Sequence, residues 1–190
     1  MSRKTAFILA EHEFFHVYNR GVDRRKIFLH PGHYRMFETL FLDVLRDVPV
    51  ELSAYVLMPN HFHLLLFQRK SGGISHLMSR VCNTYVKIFN AMQERNGHLF
   101  QGTYRIKMVD SDFSLLHVSR YIHCNPVRVG LAAAPSDWPY SDYRTATAAG
   151  PDEAIRNDAV KQLAGGGDGY RRFVEEYRGN ERDGMKRYIF

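Results

Sequence analysis

The order in which hydrophobic periodicity switches between the strand repeat and the helix repeat limits this chain's fold more than any other feature. Phe14–Asn19 is aromatic and β-branched and runs into Arg20-Gly21, a strand followed by a turn. Pro31 can open a helix at its first turn, and Tyr34, Phe37, Leu40, Phe41, Val44 and Leu45 then recur at helical spacing. Pro49 stops that helix near Asp47. Val50–Met58 and His61–Phe67 are strands joined by the turn residues Pro59-Asn60, and so predict a hairpin. After a break at Ser71-Gly72-Gly73, Ile74, Leu77, Met78, Val81, Tyr85, Ile88, Phe89 and Met92 mark the buried face of a longer helix that Gly97 ends. Thr103–Asp110 is a fourth strand. Ser111 or Asp112 then caps a helix running toward Cys124, which Asn125-Pro126 ends.

The order is β-α-β-β-α-β with one helix added. It predicts an α+β, ferredoxin-like antiparallel sheet with helices packed on one face. Such sheets serve RNA-binding modules, metal carriers and nucleases alike, so the architecture leaves function open. With 190 residues the chain makes one domain plus an appendage: residues 1–145 as the domain and 146–190 as a C-terminal extension. In the extension Gly165-Gly166-Gly167 reads as a flexible link, Tyr170–Tyr177 as a short helix, and the rest as a tail. Thirteen Phe and eleven Tyr exclude disorder of the whole, and a chain this long needs neither disulfide nor structural metal to fold. Cys82 and Cys124 have no metal or redox spacing, which fits reduced thiols in a cytoplasmic protein. The apolar run Ala6–Ala10 is too short for a signal-peptide core, and no segment nears the roughly 20 apolar residues of a membrane span. A soluble, cytoplasmic protein without a membrane partner is expected.

The formal charge of +6 favours an anionic partner. Between Arg69 and Lys107 lie seven basic residues and one acid, Glu94, so this stretch holds a surplus equal to that of the whole chain. A charge run is ordinarily a solvated face. Concentrated beside aromatics, this one points toward nucleic acid.

Two groups of residues can carry chemistry. In His61-Phe62-His63 the strand repeat sends both imidazoles to one sheet face and Phe62 to the other, an arrangement suited to a divalent metal. The same tripeptide also arises where a strand histidine merely makes a hydrogen bond. In Tyr121-Ile122-His123-Cys124-Asn125-Pro126, Tyr121 and Asn125 stand one helical turn apart on a common face. A lone tyrosine on such a helix is ordinarily a core aromatic, yet a phenol can also attack phosphorus and form a covalent ester. That ester keeps the free energy of the broken phosphodiester, so rejoining needs no nucleotide cofactor. The carboxamide oxygen of Asn125 can complete a metal shell with His61 and His63. An amide in place of a third histidine favours Mg2+ or Mn2+, although two imidazoles also accept nickel, copper or zinc.

At these motifs the sequence resembles a known family. Val56-Leu57-Met58-Pro59-Asn60-His61-Phe62-His63-Leu64-Leu65 is similar to the histidine-hydrophobe-histidine (HUH) strand of the IS200-like single-tyrosine transposases. Arg120-Tyr121-Ile122-His123-Cys124-Asn125-Pro126-Val127-Arg128-Val129-Gly130-Leu131 resembles the nucleophile helix of their REP-associated branch. Three further stretches fit that branch: His16-Val17-Tyr18-Asn19-Arg20-Gly21, Gly97-His98-Leu99-Phe100-Gln101-Gly102 and Asp137-Trp138-Pro139-Tyr140-Ser141. The resemblance spans about residues 12–145.

It implies a single-strand DNA endonuclease and strand transferase that cuts beside imperfect palindromes folded as hairpins, working as a monomer or a homodimer. It assigns the metal to His61, His63 and Asn125 and the nucleophile to Tyr121. The chain has Gly102-Thr103-Tyr104 where the family often has Gly-Arg-Phe, a change that bears on a phosphate contact the resemblance would imply, and Tyr140-Ser141-Asp142 where it often has Trp-Ser-Ser, a change expected to affect only local packing. Candidate DNA contacts are Arg20, Arg24, Arg105, Lys107 and Arg128, with Arg105 and Lys107 sharing one strand face. Two other readings use the same residues: a hairpin-binding module of this fold that does not cut, and a metal hydrolase in which water attacks instead of Tyr121.

Overall fold

The computed structural model describes residues 10–148 and 158–176. Most of the Ala6–Ala10 run, part of the extension and all of residues 177–190 lie outside them. Four strands, β1 (Glu13–Arg20), β2 (Val50–Met58), β3 (His61–Gln68) and β4 (Arg105–Val109), form one sheet in the order β2-β3-β1-β4. Every neighbouring pair is antiparallel. Helices α1 (Pro31–Arg46) and α2 (Gly73–Met92) connect them as the periodicity predicts, and the sheet has the ferredoxin-like order. The fourth strand is shorter than the expected Thr103–Asp110.

Strand alternation gives the sheet two different faces. On one, Phe15 and Val17 of β1 and Phe62, Leu64 and Leu66 of β3 meet Phe37 and Phe41 of α1 and Leu77, Val81, Tyr85 and Phe89 of α2. Ile88 and Met92, expected on that face, are exposed, and α2 ends at Met92 rather than reaching Gly97.

The added helix α3 (Asp112–Arg128) covers the opposite face. Its Leu115, Val118 and Ile122 join Ala54, Val56 and Met58 of β2 and Leu65 of β3 in a second core. Ser111 is the N-cap, its hydroxyl accepting from the Ser114 amide at 3.2 Å. The expected stop at Asn125-Pro126 is corrected by the structure: Pro126 lies inside the helix and is buried. A proline so near the C-terminus removes a single ladder bond, and burial of the surrounding turn outweighs that loss. The stop comes at Gly130, which has φ +73°. There the Leu131 amide donates to the Pro126 carbonyl at 2.9 Å and the Gly130 amide donates to that of Val127 at 3.1 Å, a paired closure that requires the left-handed residue.

Beyond α3, Ser141 bridges Val56, the Leu57 amide donates to the Tyr140 carbonyl at 2.8 Å, and the Trp138 indole donates to the Leu57 carbonyl at 3.0 Å. This segment protects the free edge of β2. Helices α4 (Tyr143–Ala146), α5 (Ala159–Leu163) and α6 (Gly167–Glu175) follow. Tyr143, Val160, Tyr170 and Val174 place these helices against α3 in the second core. Among the described residues no helix is long and apolar enough to cross a membrane.

Candidate active site

On β3, His61 and His63 project to the face that α3 crosses, while Phe62 enters the first core. The β1–β3 register sets Tyr18 opposite His63 and Arg20 opposite His61. His16, two residues earlier on β1, therefore lies diagonally beside His63. Its Nε2 stands 2.9 Å from His63 Nδ1, and the two rings stack at 5.0 Å. The His61 and His63 rings are 5.0 Å apart and nearly perpendicular.

Helix α3 brings Tyr121 to this group: its ring lies 5.3 Å from that of His63 and 6.2 Å from that of His16, edge-on to both. Tyr121 is 8% exposed, with one side of the ring in the second core. Asn125, one turn later and buried, hydrogen-bonds the His61 side chain. His61 Nδ1 also lies 2.7 Å from the Asn60 carboxamide oxygen. His61, His63, Tyr121 and Asn125, drawn from two separate stretches of sequence, thus meet within a single chain. Because α3 stays helical through Asn125, Asn125 keeps the phase that puts it under Tyr121.

The imidazoles are held neutral. Burial lowers the pKa of His61 to about 4, with the Asn125 hydrogen bond opposing and Arg20 assisting. Burial likewise takes His63 well below its ordinary value, with His16, His61 and Lys107 adding to the effect. His16 falls to about 3 through burial and the charge of Lys107. A neutral imidazole is the form that ligates a metal.

The candidate DNA contacts surround this group, but the basic run does not form one surface. Arg128 sets its guanidinium 5.0 Å from the Tyr121 ring centroid, and Lys107 sets its ammonium 5.5 Å from that of Tyr18. Arg105 is paired with Tyr18 and shares the face of Lys107. Arg20 and Arg24 line a groove of about 590 Å³ with Lys26, Asn60, His61 and Leu131, and Arg20 also hydrogen-bonds Gln101. The turn feeding this groove is held in unusual geometry. Asp23 and Arg24 both have positive φ (52° and 57°), and the Asn60 amide pins the Arg24 carbonyl at 3.1 Å. A Cβ at Gly21 would collide with the Arg25 carbonyl oxygen, so only glycine allows this turn to close. By contrast Arg69 pairs with Glu51 and Arg80 with Asp47. Consecutive helices and strands of this fold end at different faces, which disperses a run that is contiguous in sequence.

Two features were missed from sequence. In the sequence His16 stands out only as part of a motif, although its alternation with Tyr18 and Arg20 on one strand face is a readable signal. The second is a buried network behind α3. His123 Nε2 lies 2.9 Å from Asp142 Oδ1 and His123 Nδ1 lies 2.7 Å from the Tyr170 hydroxyl. The Tyr55 amide donates to the same Asp142 oxygen at 2.6 Å. Asp142, expected to affect only local packing, therefore ties α3 to β2 across the second core.

Sheet, crossing helix and site together define a ferredoxin-like α+β domain with a tyrosine held beside a histidine-hydrophobe-histidine strand. The chain belongs to the IS200-like transposase family, whose description, "Transposase IS200 like", matches residues 12–125. It is a transposase-type, DNA-processing protein. It is 27% identical over 117 residues to the REP-associated tyrosine transposase of Escherichia coli K12, covering 62% of this chain and 68% of that one. In fold it is similar to a REP-associated tyrosine transposase solved bound to a REP hairpin, with a TM-score of 0.62 and 21% identity over 78% of this chain and 93% of that one.

Proposed function

We propose that this protein is a metal-dependent single-strand DNA endonuclease and strand transferase that cuts beside hairpins through a 5′-phosphotyrosine at Tyr121. The observation that carries the reading is the Tyr121 ring, 5.3 Å from that of His63 in the same chain. One copy therefore supplies every residue the chemistry needs, and a monomer suffices.

The residues fit a divalent ion by the chemistry of their donors: two imidazoles held neutral and one carboxamide in contact with the first of them. Among the described residues no group of three or more His, Cys, Asp or Glu could hold a metal, so Asn125 is the third ligand in this reading. The mixed nitrogen and oxygen set suits Mg2+ or Mn2+. When bound, the ion supplies Lewis-acid polarisation of the scissile phosphate.

The chain's own residues do the rest. Arg128 over Tyr121, with Arg20 and Arg24 in the groove beside His61, binds the phosphates on either side of the cut. Arg105 and Lys107 extend the cationic face toward β4. The Tyr121 oxygen attacks phosphorus and loses its proton. The bond from phosphorus to the 3′ oxygen breaks, and that oxygen leaves as a hydroxyl after gaining a proton. Attack by a second 3′-hydroxyl on the phosphotyrosine reverses the step and joins new ends. Hairpin recognition is supported by the relatives, one a REP-associated tyrosine transposase and one solved bound to a REP hairpin.

The test is incubation with a single-stranded palindromic oligonucleotide and Mn2+. A denaturation-resistant adduct that maps to Tyr121, and that disappears together with cleavage in Tyr121→Phe while hairpin binding stays, supports the proposal. Cleavage surviving in Tyr121→Phe points instead to attack by water. Binding without cleavage by the unaltered protein points to a recognition module.

A further inference from the structure

We propose that His16 is a positioning residue for the reaction: it accepts the Nδ1 proton of His63 and so holds His63 in the tautomer whose Nε2 lone pair can meet a metal. The inference rests on the reading of His63 as a ligand. It goes beyond that reading by assigning a role to a histidine on a different strand.

Geometry carries the argument. His16 is fully buried, and the β1–β3 register sets it diagonally beside His63. The 2.9 Å separation of His16 Nε2 and His63 Nδ1 holds one proton, which belongs to one nitrogen or the other. If it belongs to His63 Nδ1, then His63 presents a lone pair at Nε2, and His16 keeps its own proton on Nδ1. If it belongs to His16 Nε2, then Nε2 of His63 carries the hydrogen and cannot ligate. Only the first arrangement is competent.

Among the described residues no second hydrogen bond fixes the tautomer of His16. Its Nδ1 is buried with no hydrogen bond, so either tautomer leaves one ring nitrogen of His16 without a partner. His16 can therefore take the tautomer that accepts from His63 Nδ1 with no further loss of hydrogen bonding. The buried Tyr18 ring lies tilted beside it at 5.0 Å, so the His16 ring is flanked by an aromatic as well as by His63. This is the outer-shell partner that a ligating imidazole ordinarily requires, here supplied by a second imidazole.

The experiment compares the unaltered full chain with His16→Gln and His16→Leu. Nitrogen-15 NMR of the His63 ring reads its tautomer, and titration with Mn2+ reads affinity. The expected result for the unaltered protein with Mn2+ is a proton on His63 Nδ1. In His16→Gln the carboxamide oxygen still accepts, and affinity stays within about threefold, whereas His16→Leu weakens Mn2+ binding about 10- to 100-fold and moves the His63 proton to Nε2. A proton on His63 Nε2 in the unaltered protein overturns the proposal, as does equal loss in the Gln and Leu variants or undiminished affinity in His16→Leu. The NMR measurement on the unaltered protein needs no variant to fold. It also separates the two failures: a protein that takes up no Mn2+ refutes the metal site, while the His63 tautomer without metal still tests His16.

Discussion

His63 and His123 are both fully buried on the same side of the sheet, and each is bonded to another side chain, yet their surroundings differ. Both ring nitrogens of His123 are engaged, one with Asp142 and one with Tyr170, and these partners come from two different segments that follow α3 in the chain. His63 bonds through Nδ1 to His16, and the structure gives its buried Nε2 no hydrogen bond. A buried polar group costs stability unless it is paired, so a histidine with both nitrogens paired is a fastener. One with a nitrogen left over beside a tyrosine is arranged for a ligand or for chemistry. The same side-chain type thus does two jobs within one layer of the molecule, and hydrogen-bond satisfaction distinguishes them.

Alanine at each position gives the widest separation. His63→Ala is expected to reduce adduct formation by more than about a hundredfold while costing only about 1 kcal/mol of stability. His123→Ala leaves a buried carboxylate with one fewer donor and is expected to cost about 3 kcal/mol, read by denaturant melts. A larger stability loss from His63→Ala than from His123→Ala would break the contrast.

Acid sharpens it further. The pKa values of His16 and His61 lie below the ordinary 6.5 in the folded protein, at about 3 and about 4, and that of His63 lies well below it. The unfolded chain therefore takes up protons first as pH falls. The stability these groups contribute is complete above pH 6.5 and declines below it, by up to about 1.4 kcal/mol per pH unit for each histidine. Denaturant melts at pH 7, 6 and 5 measure the slope, and a flat profile would show that the site histidines are not held neutral. The smallest effect is expected of Tyr170→Phe. It removes one hydroxyl from the His123 network and costs about 1 kcal/mol, with adduct formation per folded molecule unchanged.

Much of the site was legible from local repeats. A strand's period of two makes His61 and His63 neighbours in any fold that keeps the strand, and a helix's period of 3.6 does the same for Tyr121 and Asn125. The helix itself continues past Pro126, the end that the sequence predicts, because burial and the closure at Gly130 outweigh one lost bond. The partners of those residues were less accessible. His16 meets His63 through the register of antiparallel strands 47 residues apart, and Asp142 meets His123 through a segment folded back along the edge of β2. The scattering of the basic run has the same origin.

Covalent neighbours and backbone periods determined, from the amino-acid order alone, the six-element architecture, the two imidazoles on one face and the phenol one turn before an amide. Tertiary structure decided which face of the sheet α3 covers, and therefore that the phenol meets the imidazoles in one chain. It also decided which buried histidine is tied down on both sides and which is not. The reason is physical: periodicity is set by dihedral angles within a few residues, whereas hydrogen-bond satisfaction depends on which distant segments are brought together when the two cores close.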